Sequence, residues 1–123
     1  MARIRTVRPH LFQSTSLNQC SVLSTLTFVG LLTLADDEGR FVLSPGRILG
    51  RLYAWRDDVS EADVEKCLAE LAAVGCISAY IVDGVTYGYL PGWKKYQRIA
   101  HPTRSPLPAP PREAATAGNG DVV

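Results

Sequence analysis

The chain is poor in the residues that announce chemistry. It has two histidines, His10 and His101, near opposite ends, and three cysteines, Cys20, Cys67 and Cys76. Three thiols cannot all pair within one chain, and none belongs to a CxxC. Buried small hydrophobes in a reducing cytosol are therefore the expected state of the cysteines. No nucleophile motif surrounds them, and no GxSxG, HExxH or Walker loop occurs. Their spacing with the histidines matches no zinc pattern. The expectation is a protein that is not an enzyme, with no metal, no cofactor and no small-molecule substrate.

Long apolar runs are missing too. Thr15 to Ala35 carries no charge, but Ser, Thr, Asn and Gln interrupt it, and only the residues from Val22 onward are mostly apolar. A membrane span needs roughly 20 apolar residues in a row. The start Met1-Ala2-Arg3-Ile4-Arg5 lacks the apolar segment of a signal peptide. A cytosolic protein without a membrane partner is expected.

What is present is an uneven distribution of charge. The net charge is only +1, yet residues 1–56 hold seven Arg against Asp36, Asp37 and Glu38, a balance of +4. Residues 57–91 hold Lys66 against seven acids, giving −6, and residues 92–123 return to +3. Two basic segments bracket an acidic one, a pattern that points to a polyanionic partner more than the total does. At 123 residues the chain suffices for one domain with a single core.

Residues 1–12 read as a basic N-terminal arm, 13–100 as the folded domain, and 101–123 as a Pro-rich tail. Ser21 caps a predicted helix from Val22 to about Ala35, with Val22, Leu26, Val29 and Leu32 or Thr33 at helical spacing. Leu23, Phe28, Leu31 and Leu34 fill its other side, so it is expected to be the central core helix. Arg40 to Leu43 is a short strand candidate. Ser44-Pro45 opens a second helix to about Tyr53, burying Ile48, Leu49 and Leu52 and leaving Arg47 and Arg51 on one face. Ser60-Glu61-Ala62-Asp63 resembles a capping box for a third, which buries Val64, Cys67, Leu68, Leu71 and Val74 and ends at Gly75.

Asp83-Gly84 suits a two-residue type I′ turn, predicting a hairpin from Cys76 to Leu90 with Tyr80 opposite Tyr87. Ile77, Ala79, Ile81 and Leu90 are the expected core face. Gly92-Trp93-Lys94-Lys95-Tyr96-Gln97-Arg98 follows, three cations interleaved with two aromatics. Trp93 and Tyr96 suit docking back onto the domain or stacking on nucleic acid, with docking preferred. Phe28, Phe41 and Trp55 are expected to be packing residues. From His101 the chain has five prolines among small residues, which predicts a disordered or polyproline-like tail.

Helix, strand, helix, helix, hairpin is the order of a winged helix-turn-helix, an α+β fold with a small antiparallel wing. Three stretches carry a resemblance: Met1 to Pro9, Leu31 to Arg40, and Lys95-Tyr96-Gln97-Arg98-Ile99 followed by Pro102. Together they resemble the N-terminal winged-helix region of bacteriophage replication-initiation (replisome organiser) proteins, over roughly residues 1–106. The resemblance implies binding to origin DNA and recruitment of replication machinery in the bacterial host cytoplasm. Transcription regulation on the same fold is a close variant.

In such a fold the second helix of the turn motif enters the major groove, here the helix from Ser60 to Val74. Its outward side chains are Glu61, Asp63, Glu65, Lys66 and Glu70, which duplex phosphates repel. The expected contacts to double-stranded DNA are therefore Arg3 and Arg5 on the arm, Arg47 and Arg51 on the preceding helix, and Lys94, Lys95 and Arg98 after the wing. They meet phosphates and supply affinity more than sequence choice. The alternative is a protein-interaction module without direct DNA binding. It uses the acidic helix and the tyrosines of the hairpin to form a homodimer or hold a replication-protein partner.

Overall fold

Each of the three longer helices starts at a serine. In a computed structural model describing residues 4–111, helix α1 runs Val22–Leu34, α2 Pro45–Leu52 and α3 Glu61–Ala73. Ser21, Ser44 and Ser60 accept from the backbone N–H of Ser24, Arg47 and Asp63. At α3 the box is complete, because Asp63 also accepts from the Ser60 N–H at 2.9 Å. That bond, with the Ser60 side chain, holds the Asp63 carboxyl below its ordinary range. Such caps satisfy donors that a helix start leaves open, each contributing roughly 1 kcal/mol.

Strands β1 (Arg40–Val42), β2 (Ser78–Val82) and β3 (Val85–Tyr89) form an antiparallel sheet in the order β1-β3-β2. The turn joining β2 to β3 has positive φ at both Asp83 and Gly84, as a type I′ turn requires. Register follows, with Val82 opposite Val85 and Tyr80 opposite Tyr87. A short helix α4, Trp93–Tyr96, ends the described regular structure. The fold is thus mixed α+β.

The core lies where α1 and α2 pack on α3 and the sheet closes one side. Phe28, Leu31 and Leu32 of α1 meet Ile48, Val64, Leu68 and Leu71, with Phe41, Ile77 and Leu90 from the sheet side. Full burial of such side chains contributes roughly 1.5–3 kcal/mol each. Cys67 and Cys76 are buried and Cys20 is half-buried.

Three expectations need correction. Helix α1 is not buried all round, for Val22 is 87% and Leu26 53% exposed. Trp55 is not a packing residue but wholly exposed. Tyr53 takes the inward place instead, its hydroxyl 2.8 Å from Thr27 Oγ1, and the turn closed by Arg56 N–H on Tyr53 O leaves Trp55 outside.

The hairpin faces are also different. Ile77 and Leu90 are buried, but Ala79 and Ile81 point outward and Tyr80 inward. A bend at Cys76 and Ile77 precedes β2, so the two-residue alternation does not carry from Ile77 into the strand.

The arm and the tail, finally, lie against the body within the described residues. Pro9–Gln13 and Leu17–Gln19 form 3₁₀ turns that bury Leu11 and Leu17. Residues 101–111 form no helix or strand, yet Thr103 N–H donates to Asp37 and Ser105 N–H to Glu38. The Ser105 hydroxyl donates to Asp36, Arg40 to Leu107 O, and Tyr80 to Pro108 O. Backbone donors of a proline-rich segment found acceptors in the acidic loop that ends α1. The rest of the tail expectation falls on residues 112–123, outside the described residues.

Candidate nucleic-acid interface

Helix α4 owes its position to Trp93. Its indole N–H donates to Asp37 O at 2.9 Å and its ring packs over Gly39. Gly39 has φ +80°, and a Cβ there would lie 2.7 Å from the Trp93 ring, so glycine serves both the turn and the contact. One turn later Gln97 is buried and pairs with the arm, accepting from Thr6 N–H and donating to Thr6 O. The basic segment is docked, as Trp93 and Tyr96 suggested.

Docking gathers cations around Tyr96. Lys95 Nζ lies 5.2 Å and the Arg8 guanidinium 5.8 Å from its ring centroid, and His10 packs at 4.9 Å. Arg8 also donates to Tyr96 O. Lys94, Lys95 and Arg98 are exposed, and with Arg8 they have no carboxylate partner among the described residues. On the other side of α4, a groove of about 500 Å3 places Arg104 near Lys94. Arg8 and Arg104 were not among the expected contacts. Arg8 lies within the arm, at a position only the Tyr96 contact reveals.

Arg47 and Arg51 form a second group. Both are exposed on α2 and, with Arg40, line a groove of about 260 Å3 floored by Leu34, Phe41 and Ile48. Arg40 is committed to Glu38 and Leu107 O, whereas Arg47 and Arg51 have no carboxylate partner among the described residues.

Arg5 does not belong to either group. Its side chain is 4% exposed and donates to Leu32 O, Ala35 O and Asp37 Oδ1. A guanidinium spent on the end of α1 and its acidic loop cannot reach a phosphate. The expected minor-groove role is corrected to a structural one. Arg3 lies outside the described residues.

The acidic helix is partly engaged as well. Glu70 accepts from Ser21 N–H and Ser24 Oγ, and these bonds hold its carboxyl below the usual range. Asp63 serves the capping box, which leaves Glu61, Glu65 and Lys66 on the open face. Tyr80 is buried under the 106–108 segment, and burial pushes its hydroxyl pKa up.

No group of three or more metal-ligating side chains occurs among the described residues. No helix among them is long and apolar enough to cross a membrane. No known protein family, curated protein or solved structure matches the chain.

Proposed function

We propose that the chain is a winged-helix protein that binds double-stranded DNA, of the bacteriophage replication-initiation type. It acts in replication initiation or transcription regulation in the cytoplasm of the bacterial host. In this reading α2 and α3 are the helix-turn-helix pair and the β2–β3 hairpin is the wing.

One observation carries the reading: Lys94 and Lys95 on the docked helix α4, Arg98 just after it and Arg8 of the arm beside Tyr96 have no carboxylate partner among the described residues. Cations carried on a docked backbone lose less entropy on meeting phosphates than those of a free tail do. Arg47 and Arg51 supply a second contact across the backbone. The outward acids of α3 weaken any entry into the groove, so affinity exceeds sequence choice.

Duplex binding across a salt series tests this. Log affinity falls against log salt with a slope near −0.9 per phosphate contact. Replacing Lys94 and Lys95 together by Ala flattens that slope by about two. Absence of binding at low salt sinks the proposal. The protein-interaction reading keeps support from exposed Glu61 and Glu65, but Tyr80 is buried and bonded to the chain's own Pro108.

A further inference from the structure

The segment after His101 runs from one cationic groove to the other. Pro102, Thr103 and Arg104 line the groove that holds Lys94, and Pro106 and Leu107 line the one that holds Arg47 and Arg51. Arg104 and Pro106 are two residues apart, roughly 7 Å of extended chain. That is less than the roughly 12 Å width of a major groove, so a single duplex is large enough to meet both.

The acidic loop stands between the cations. Asp36 lines the groove of Arg47 and Arg51, and Asp37 and Glu38 line the groove of Lys94. Left bare, these carboxylates repel a phosphate backbone. The segment caps each of them. The Ser105 hydroxyl donates to Asp36, Thr103 N–H to Asp37 Oδ2 at 2.8 Å, and Ser105 N–H to Glu38 Oε2 at 2.7 Å. Arg5 pairs with Asp37 and Arg40 with Glu38, so two guanidinium groups face three acids. Arg104 brings a third positive charge to the same place. It is exposed and has no carboxylate partner among the described residues.

No backbone–backbone hydrogen bond joins residues 98–108 to the body among the described residues. The bonds that hold the segment run through the three acids, Arg40 and Tyr80. Its release therefore breaks no helix and no strand pairing. We propose that this segment is the closing element of the duplex-binding surface. Docked, it covers Asp36, Asp37 and Glu38 and presents Arg104 as a further phosphate contact; released, it leaves the three acids facing the phosphates. The inference rests on the DNA reading and gives it a regulated state.

Duplex binding across a salt series reads the surface, and amide hydrogen exchange at Thr103 reads the segment, both in the full chain. Arg104→Ala is expected to flatten the salt slope by about one and to leave Thr103 exchange unchanged. Ser105→Pro removes the N–H and the hydroxyl without altering charge. It is expected to speed Thr103 exchange and to flatten the slope by at least as much as Arg104→Ala. Saturating duplex slows Thr103 exchange in the wild type, because a ligand that prefers the docked state also stabilises it. Neither position lies in a helix or strand, and circular dichroism checks that both variants fold.

A wild-type slope in Arg104→Ala overturns the proposal. So does wild-type affinity in a Ser105→Pro chain whose Thr103 exchanges faster, or Thr103 exchange indifferent to duplex. Each of these results needs a wild-type chain that binds duplex, so each strikes the closing segment alone. A wild-type chain that binds no duplex sinks the DNA reading and this inference with it.

Discussion

The Arg5 guanidinium lies 5.0 Å from the centroid of the Trp93 ring, joining the start of the described chain to the helix that follows the hairpin. The same guanidinium bonds the carbonyls that end α1 and the Asp37 carboxylate. Arg5→Ala strips two carbonyls and a carboxylate of their donor. It is expected to cost about 2–4 kcal/mol in urea denaturation. The salt slope of duplex binding stays at the wild-type value. A flattened slope with unchanged stability would return Arg5 to the phosphate contacts.

Gly39 makes room for the Trp93 ring at positive φ. Gly39→Ala strains the turn and pushes on the indole, a loss of about 1–3 kcal/mol. Because Trp93 seats α4, duplex affinity falls in the same variant. Thermal melting and a binding titration check the two effects separately.

Arg47 and Arg51 lie on α2 and line a different groove from Lys94, so with no shared partner their contributions to one duplex add if both groups touch it. Arg47→Ala/Arg51→Ala is expected to flatten the salt slope by about two, and combination with Lys94→Ala/Lys95→Ala by about four. A fourfold variant no flatter than one of the doubles would show that only one group meets phosphates.

Glu70 links α3 to the start of α1, and its ionised form is the one the Ser21 and Ser24 bonds favour. Its folded pKa lies below the unfolded one. The stability it contributes is whole above the ordinary glutamate value of about 4.3 and is lost as pH falls through the folded pKa. Denaturation measured from pH 6 down to about pH 3 should show a steeper fall for the wild type than for Glu70→Gln. Parallel curves would remove the assignment.

Tyr80 donates to Pro108 O at 2.8 Å and holds the segment after His101 over the hairpin. Tyr80→Phe is expected to cost about 1 kcal/mol and to speed proteolysis between residues 101 and 108. Unchanged cleavage there would show that the acidic loop alone retains the segment.

Local elements were legible because their causes lie within a few residues. Ser21, Ser44-Pro45 and Ser60 with Asp63 set helix starts through bonds three residues long, and Asp83-Gly84 fixed both the turn and the Tyr80–Tyr87 register. The faces of α2 and α3 followed from helical spacing for the same reason. Alternation misled at Ile81, since the bend before β2 breaks the count.

Sequence by itself determined where α1, α2, α3 and the hairpin form and which segments carry each sign of charge. Tertiary structure alone decided which charged and aromatic groups remain available. Arg5 is buried while Lys94 is exposed, and Trp55 is outside while Trp93 is inside. A side chain's availability depends on partners brought from far along the chain, as Thr6 meets Gln97 and Asp36 meets Ser105. No spacing rule within one segment contains that information.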